Sequence, residues 1–120
     1  MTRILYVDDE QDICEVASMA LELDSAFEVE TTQSGKEALT RVKSSRPDLI
    51  LLDVMMPGMD GPTTLSKLRE NPGTAGIPVV FVTARTQPEE VERLIAAGAL
   101  GVIPKPFDPM TLAATVRSFL

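Results

Sequence analysis

The sequence predicts an α/β domain in which a five-stranded parallel sheet is doubly wound by five helices. Three observations carry this. Short apolar runs alternate five times with segments of helical periodicity, the pattern of successive strand–helix units. Three of the runs, at residues 4–7, 48–53 and 78–83, are almost continuously apolar, as strands covered on both faces must be. Clusters such as Pro57-Gly58 and Asn71-Pro72-Gly73 separate the units with turns.

The first strand is read over residues 4–7 and stops at Asp8-Asp9-Glu10, which places acids at its C-terminal end. From Gln11 to about Leu23, Ile13, Val16, Ala17 and Ala20 recur at three and four, predicting a helix with that face on the core and Cys14 packed beside it. Residues 27–31 alternate apolar with polar, which describes a half-exposed edge strand. Ser34 to Glu37 offers a capping box, so the second helix starts near Ser34, turns Ala38, Leu39 and Val42 inward, and is stopped by Pro47.

Leu49 to Leu52 then lead to Asp53 at the end of the third strand, after which Pro57, Gly58 and Asp60-Gly61 demand a loop. Pro62 is placed as the first residue of the third helix, with Leu65 and Leu68 inward. The fourth strand, residues 78–83, tolerates Pro78 because its first position needs no ladder donor. Thr86 is expected to cap the fourth helix, with Pro88 in its first turn, an inner stripe of Val91, Leu94 and Ile95, and an end at Gly98. Residues 100–103 form the fifth strand and lead into Pro104-Lys105-Pro106-Phe107. Asp108 caps and Pro109 opens the fifth helix, whose stripe is Leu112, Val116 and Leu120.

Strand order 2-1-3-4-5 suits these strands. It puts the alternating second strand and the proline-containing fifth at the edges and the three apolar ones inside, with right-handed crossovers. The expected architecture is therefore a flavodoxin-like (βα)5 fold, with one domain over residues 1–120. At 120 residues and 44% hydrophobic content, two domains would not fit.

Composition excludes several kinds of chemistry. One cysteine allows no internal disulfide and no zinc or iron–sulfur cluster, and it suits a reducing compartment. The apolar run after Arg3 is too short for a signal peptide or a membrane span, so a cytoplasmic protein with no membrane partner is expected. With 18 acidic and 11 basic residues the net charge is −7, which gives direct nucleic-acid binding no electrostatic support. Histidine is absent, which removes the usual general base and imidazole metal sites.

In such a sheet ligands bind outside the C-terminal strand ends, near the point where strand order reverses, here between the first and third strands. Asp8 and Asp9, Asp53, Thr83 and Lys105 all fall on that rim. Each has an ordinary reading alone: a helix cap, a strand end, a strand residue, a solvated charge. Their coincidence on one rim argues for a site. Three close carboxylates repel, and one takes up a proton unless a cation sits among them. Oxygen donors select a hard ion, and Mg²⁺ suits carboxylates, water and a phosphate oxygen. Lys105 would neutralise what the metal does not. Thr83, together with free N–H groups around residues 54–56 and 84–85, would donate to an anionic oxygen. The pattern points to a phosphoryl group carried on Asp53, a carboxylate nucleophile that needs positioning and charge stabilisation more than a base.

These residues lie in four blocks, ILYVDDE at 4–10, DLILLDVMMPGMDG at 48–61, PVVFVTA at 78–84 and GALGVIPKPF at 98–107. Through them the sequence resembles, over its whole length, the receiver domain of bacterial two-component response regulators, chemotaxis receivers included. The resemblance implies that Asp53 accepts the phosphoryl group, Thr83 follows it and Lys105 pairs with it. It implies that Asp9, Asp53 and the main-chain carbonyl of Met55 ligate Mg²⁺, with Asp8 acting through water, and that the Lys105–Pro106 bond is cis. It further implies a signalling domain that catalyses only its own phosphorylation and dephosphorylation. The implied donor is a sensor histidine kinase or a histidine phosphotransfer protein. A downstream effector or output domain would read the face of the fourth helix, fifth strand and fifth helix, with a phosphorylation-dependent dimer as one form of output.

One position departs from the family pattern. Receivers usually carry Tyr or Phe three residues before the lysine, and here Val102 has no ring to swing inward. Output is therefore expected to depend more on the loop from Ala84 to Pro88 and on the fourth helix. Pro104 is also unusual and is expected to stiffen the fifth strand, while Met55 and Arg85 flank the site and tune phosphate lifetime. Two other functions fit the topology. A Mg²⁺-dependent phosphatase with an aspartyl nucleophile would place a second acid at Met55; a flavin protein would meet three repelling acids and no tryptophan. The sequence ends on Phe119-Leu120 without a capping residue, which leaves open both a stand-alone regulator and a receiver that is one part of a longer protein.

Overall fold

Strand and helix alternate throughout residues 1–120 of the computed structural model. The order is β1 (Thr2–Val7), α1 (Gln11–Leu21), β2 (Phe27–Thr32), α2 (Gly35–Ser44), β3 (Leu49–Asp53), α3 (Gly61–Glu70), β4 (Val79–Thr83), α4 (Pro88–Ala96), β5 (Gly101–Pro104) and α5 (Leu112–Arg117). All four strand pairings are parallel, and the sheet order is β2-β1-β3-β4-β5, as the sequence predicts.

Side-chain alternation along the strands divides the core in two. Ile4, Tyr6, Leu49, Leu51, Val80 and Val82 face α1 and α5, whereas Leu5, Val7, Ile50, Leu52, Val79 and Phe81 face α2, α3 and α4. β3 and β4 are buried along their whole length, which is why their sequences show no polar alternation. β2 mixes buried and exposed positions, as an edge strand does.

Register positions the functional rim. Val7 pairs with Leu52, Asp53 with Val82 and Thr83 with Pro104, so the strands finish nearly level and Asp8, Asp53, Thr83 and Lys105 emerge side by side. Local caps then turn the chain away. Asp60 accepts from the N–H of Thr63 at 2.8 Å and starts α3 at Gly61, one residue before the expected Pro62. Ser34 Oγ accepts from the N–H of Glu37 at 3.0 Å at the start of α2.

Three helix faces differ from the sequence reading. In α1 the buried stripe is Cys14, Ala17, Ala20 and Leu21, while Val16 is 42% exposed and Ile13 only borders the core. Adjacent stripes of one helix carry similar periodicity, and the angle at which α1 leaves β1 chooses between them. That angle brings the thiol of Cys14 within 3.3 Å of the Asp8 carbonyl. In α4, Gln87 rather than Thr86 is the N-cap, and only Leu94 is fully buried, because α4 leans on the edge strand β5. Around α5, Asp108 and Pro109 form a turn that precedes the helix. The Asp108 carboxylate takes the N–H of Met110, and the regular helix starts at Leu112. Leu120 stays exposed. Phe119 fills its expected place by lying on Gly101, where a Cβ would come within 2.3 Å of the ring.

Candidate functional site

Asp8 leaves the end of β1 wholly buried, and both of its carboxylate oxygens are hydrogen-bonded. Its Oδ1 accepts the N–H of Glu10 at 3.0 Å; its Oδ2 accepts from Lys105 Nζ at 2.7 Å and from the Tyr6 hydroxyl at 3.2 Å. Asp53 is buried at the end of β3, with Oδ1 3.4 Å from the same ammonium. Asp9 is half-buried, and one carboxylate oxygen from each of Asp8, Asp9 and Asp53 lies within 4.8 Å of the others.

The loops hold these side chains in place. The carbonyl of Thr83 takes the N–H of Lys105 at 2.8 Å, and the Lys105–Pro106 peptide is cis, as the resemblance implied. Gly61 returns the loop after β3 by donating its N–H to the carbonyl of Val54 at 2.9 Å. A side chain there would meet the Asp53 carbonyl at 2.4 Å, so only glycine fits this approach. Thr83 is buried on the rim, and its hydroxyl accepts the N–H of Arg85 at 3.0 Å. The Met55 side chain is exposed beside the site.

Charge is unbalanced here, with three carboxylates facing one ammonium. Burial, and then the charge of Asp8, push the Asp53 carboxyl up to about 6, with Lys105 opposing them in part. Burial alone would lower the Lys105 pKa, but its hydrogen bond to Asp8 and the charges of Asp53 and Asp8 outweigh burial and raise it, so the lysine stays cationic. Burial and the Asp8 charge raise the Tyr6 phenol far above its ordinary value, so it remains a neutral donor. The Cys14 thiol is pushed up to about 11, first by burial and then by Asp8, and is no nucleophile. The remaining deficit is two positive charges within reach of oxygen donors only. That donor set fits a hard divalent cation such as Mg²⁺.

The structure thus brings together Asp8, Asp9, Asp53 and Lys105 and places Thr83 on the same rim. The sequence reading passed over Tyr6. Period-two alternation puts Tyr6 and Asp8 on one side of β1, and a tyrosine two residues before a buried acid was the available signal.

Residues 4–117 match the family described as the response regulator receiver domain. The chain belongs to that family. This receiver domain is 40% identical over 118 residues to the DNA-binding response regulator MtrA of Mycolicibacterium paratuberculosis, a match covering 98% of this chain and 51% of that protein. It is 38% identical over 122 residues to the transcriptional regulatory protein CpxR homolog of Haemophilus influenzae, covering 100% and 51%. The chain spans about half the length of the curated relatives it matches. Among solved structures, the chemotaxis protein CheY4 of Vibrio cholerae superposes with a TM-score of 0.91 at 37% identity, over 100% of this chain and 99% of that one. The receiver domain of a signal transduction histidine kinase from Syntrophus aciditrophicus gives 0.85 at 34%, over 100% and 90%. This receiver domain is accordingly a signalling domain of two-component systems with a flavodoxin-like fold. None of its helices is long and apolar enough to cross a membrane.

Proposed function

We propose that this receiver domain, residues 1–120, takes a phosphoryl group from a partner's phosphohistidine onto Asp53 and so changes what binds its α4–β5–α5 face. The observation that carries the reading is the placing of Lys105 between Asp8 and Asp53, 2.7 Å from one and 3.4 Å from the other. An Asp53 oxygen attacks phosphorus as the bond to the imidazole nitrogen breaks, and the imidazole leaves with a proton taken from solvent. Lys105 then pairs with the new phosphoryl oxygens, and Thr83 turns its hydroxyl from the Arg85 turn to donate to them. Asp9, Asp53 and the Met55 carbonyl, with Asp8 through water, would hold Mg²⁺, which when bound supplies neutralising charge to the phosphoryl oxygens.

A phosphoryl group adds roughly −1.5 to −2 charge, and a shift from 1:99 to 99:1 between two states takes about 5.5 kcal/mol of differential stabilisation. Pairing with Lys105 and Thr83 in a buried site is of that order. The protein is cytoplasmic, and its partners are a sensor histidine kinase or histidine phosphotransfer protein on the input side and a protein effector or output domain, or a second copy of the chain, on the output side. Two relatives are named as DNA-binding or transcriptional regulators, which supports an output domain that touches DNA while this acidic segment does not. Nothing favours a phosphatase over this reading, because an apolar side chain, Met55, occupies the position that would need an acid.

Incubation with acetyl phosphate and Mg²⁺ tests the reading. Mass spectrometry is expected to show one added phosphoryl group on the native sequence and none on Asp53→Asn. Labelling that persists in Asp53→Asn overturns it.

A further inference from the structure

Tyr6 is the sole tyrosine of a chain without tryptophan, and it sits directly against the acidic cluster. It is wholly buried, and its hydroxyl donates to Asp8 Oδ2, the same oxygen that Lys105 holds. Its ring meets the Phe107 ring edge-on, with centroids 6.3 Å apart and planes at 75°. Phe107 follows Lys105 across Pro106, so Tyr6 touches both the carboxylate that binds the lysine and the segment that carries it.

Resting on the phosphoryl-transfer reading above, we propose that Tyr6 is a positioning residue: its hydroxyl keeps Asp8 satisfied when the Lys105 ammonium leaves that carboxylate for the phosphoryl group on Asp53. In the structure Lys105 lies closer to Asp8 than to Asp53, so pairing with a group on Asp53 draws it away from its shorter contact. Asp8 is fully buried, so the lost donor is replaced only from within the site, by the chain's own donors or by the water through which Asp8 would face Mg²⁺. The Glu10 N–H is already committed to Oδ1, so of the chain's own donors the Tyr6 hydroxyl is the one that stays on Oδ2. Without that hydroxyl Asp8 would hold the ammonium more tightly, and the phosphorylated state would form more slowly and persist less. A purely structural tyrosine, placed only to fill the core, would have none of these consequences.

Tyr6→Phe keeps the ring and its contact with Phe107 while removing the hydroxyl. With acetyl phosphate and saturating Mg²⁺, the phosphorylation rate is expected to fall about tenfold, the scale of one hydrogen bond to a charged group. In a Lys105→Ala background, where there is no ammonium to release, the same substitution is expected to change the residual rate less than about twofold. Equal effects in both backgrounds, or no effect on the native one, would overturn the proposal. A second measurement needs no variant. Tyrosine emission in this protein comes from Tyr6 alone, and phosphorylation of the native chain should lower it as the phenol's bond to Asp8 tightens. Unchanged emission in a chain that mass spectrometry shows to be phosphorylated would also overturn it. Failure of the native chain to be labelled at all instead sinks the phosphoryl-transfer reading.

Discussion

The ammonium of Lys105 lies 2.7 Å from Oδ2 of Asp8, a carboxylate with no solvent exposure, though 97 residues separate the two. Removing one partner of a buried ion pair leaves the other uncompensated, a loss of roughly 3–5 kcal/mol when both are fully buried. Lys105 is 18% exposed, and the Tyr6 hydroxyl and Glu10 N–H remain on Asp8. Lys105→Ala is therefore expected to destabilise the metal-free protein by about 2 kcal/mol in urea denaturation, and Lys105→Arg by less. An unchanged midpoint for Lys105→Ala would mean that the pair contributes nothing.

Asp53 makes the metal-free protein sensitive to pH. Its carboxyl is raised from 3.8 to about 6, first by burial and then by Asp8, so the folded chain favours the protonated form. That contribution is fully present below the unfolded value and is lost as pH rises through the folded one. The shift corresponds to at most about 3 kcal/mol lost between roughly pH 4 and pH 7. Asp53→Asn is expected to remove this loss and to be more stable than the native chain by about 1–3 kcal/mol near pH 7 without metal, with the gap closing toward about pH 4. Thermal unfolding at the two pH values measures it. Mg²⁺ should stabilise the native chain near neutrality and the variant much less.

Gly61 and Gly58 separate crowding from backbone strain within one loop. A Cβ on Gly61 would lie 2.4 Å from the Asp53 carbonyl and 2.9 Å from both Val54 Cα and Phe81 Cε1, so the end of β3 must move. Gly61→Ala is expected to lose about 2–3 kcal/mol in urea denaturation and to slow labelling of Asp53. At Gly58 the space is open but φ is +77°, so Gly58→Ala is expected to lose only about 1 kcal/mol.

Val102 is half-buried and packs against the core layer that includes Leu94 of α4, with no ring to rotate. After β4 the loop residues Ala84 to Gln87 are exposed around a hollow of ≈ 410 Å³ that Glu90 of α4 also lines. Amide hydrogen exchange in α4 is expected to respond to acetyl phosphate in Val102→Ala as it does in the native chain, and to lose that response in Ala84→Val. The opposite pattern would restore the side chain at position 102 as the relay.

Much of the site could be read from the chain because apolar runs mark where strands stop and a parallel sheet aligns those stops. Asp8 after Val7 and Asp53 after Leu52 become neighbours once Val7 pairs with Leu52. Helix faces were less legible. Cys14 and Val16 lie on adjacent stripes of α1, and periodicity supports either until the angle of docking on β1 is known. Phe119 displaces Leu120 for a similar reason: the gap over Gly101 accepts a flat ring, which no count of apolar residues reveals.

Alternation, turn chemistry and charge were enough to set the strand order and the acidic rim, since each depends on neighbours in sequence, and composition alone shows that the chain has no histidine of its own. Which donors share Asp8 Oδ2, and that Tyr6 is among them, only the folded chain decided. Hydrogen-bond partners are chosen by differences of a few tenths of an ångström. Distances that fine are set jointly by the twist of the sheet and the packing of helices on both its faces.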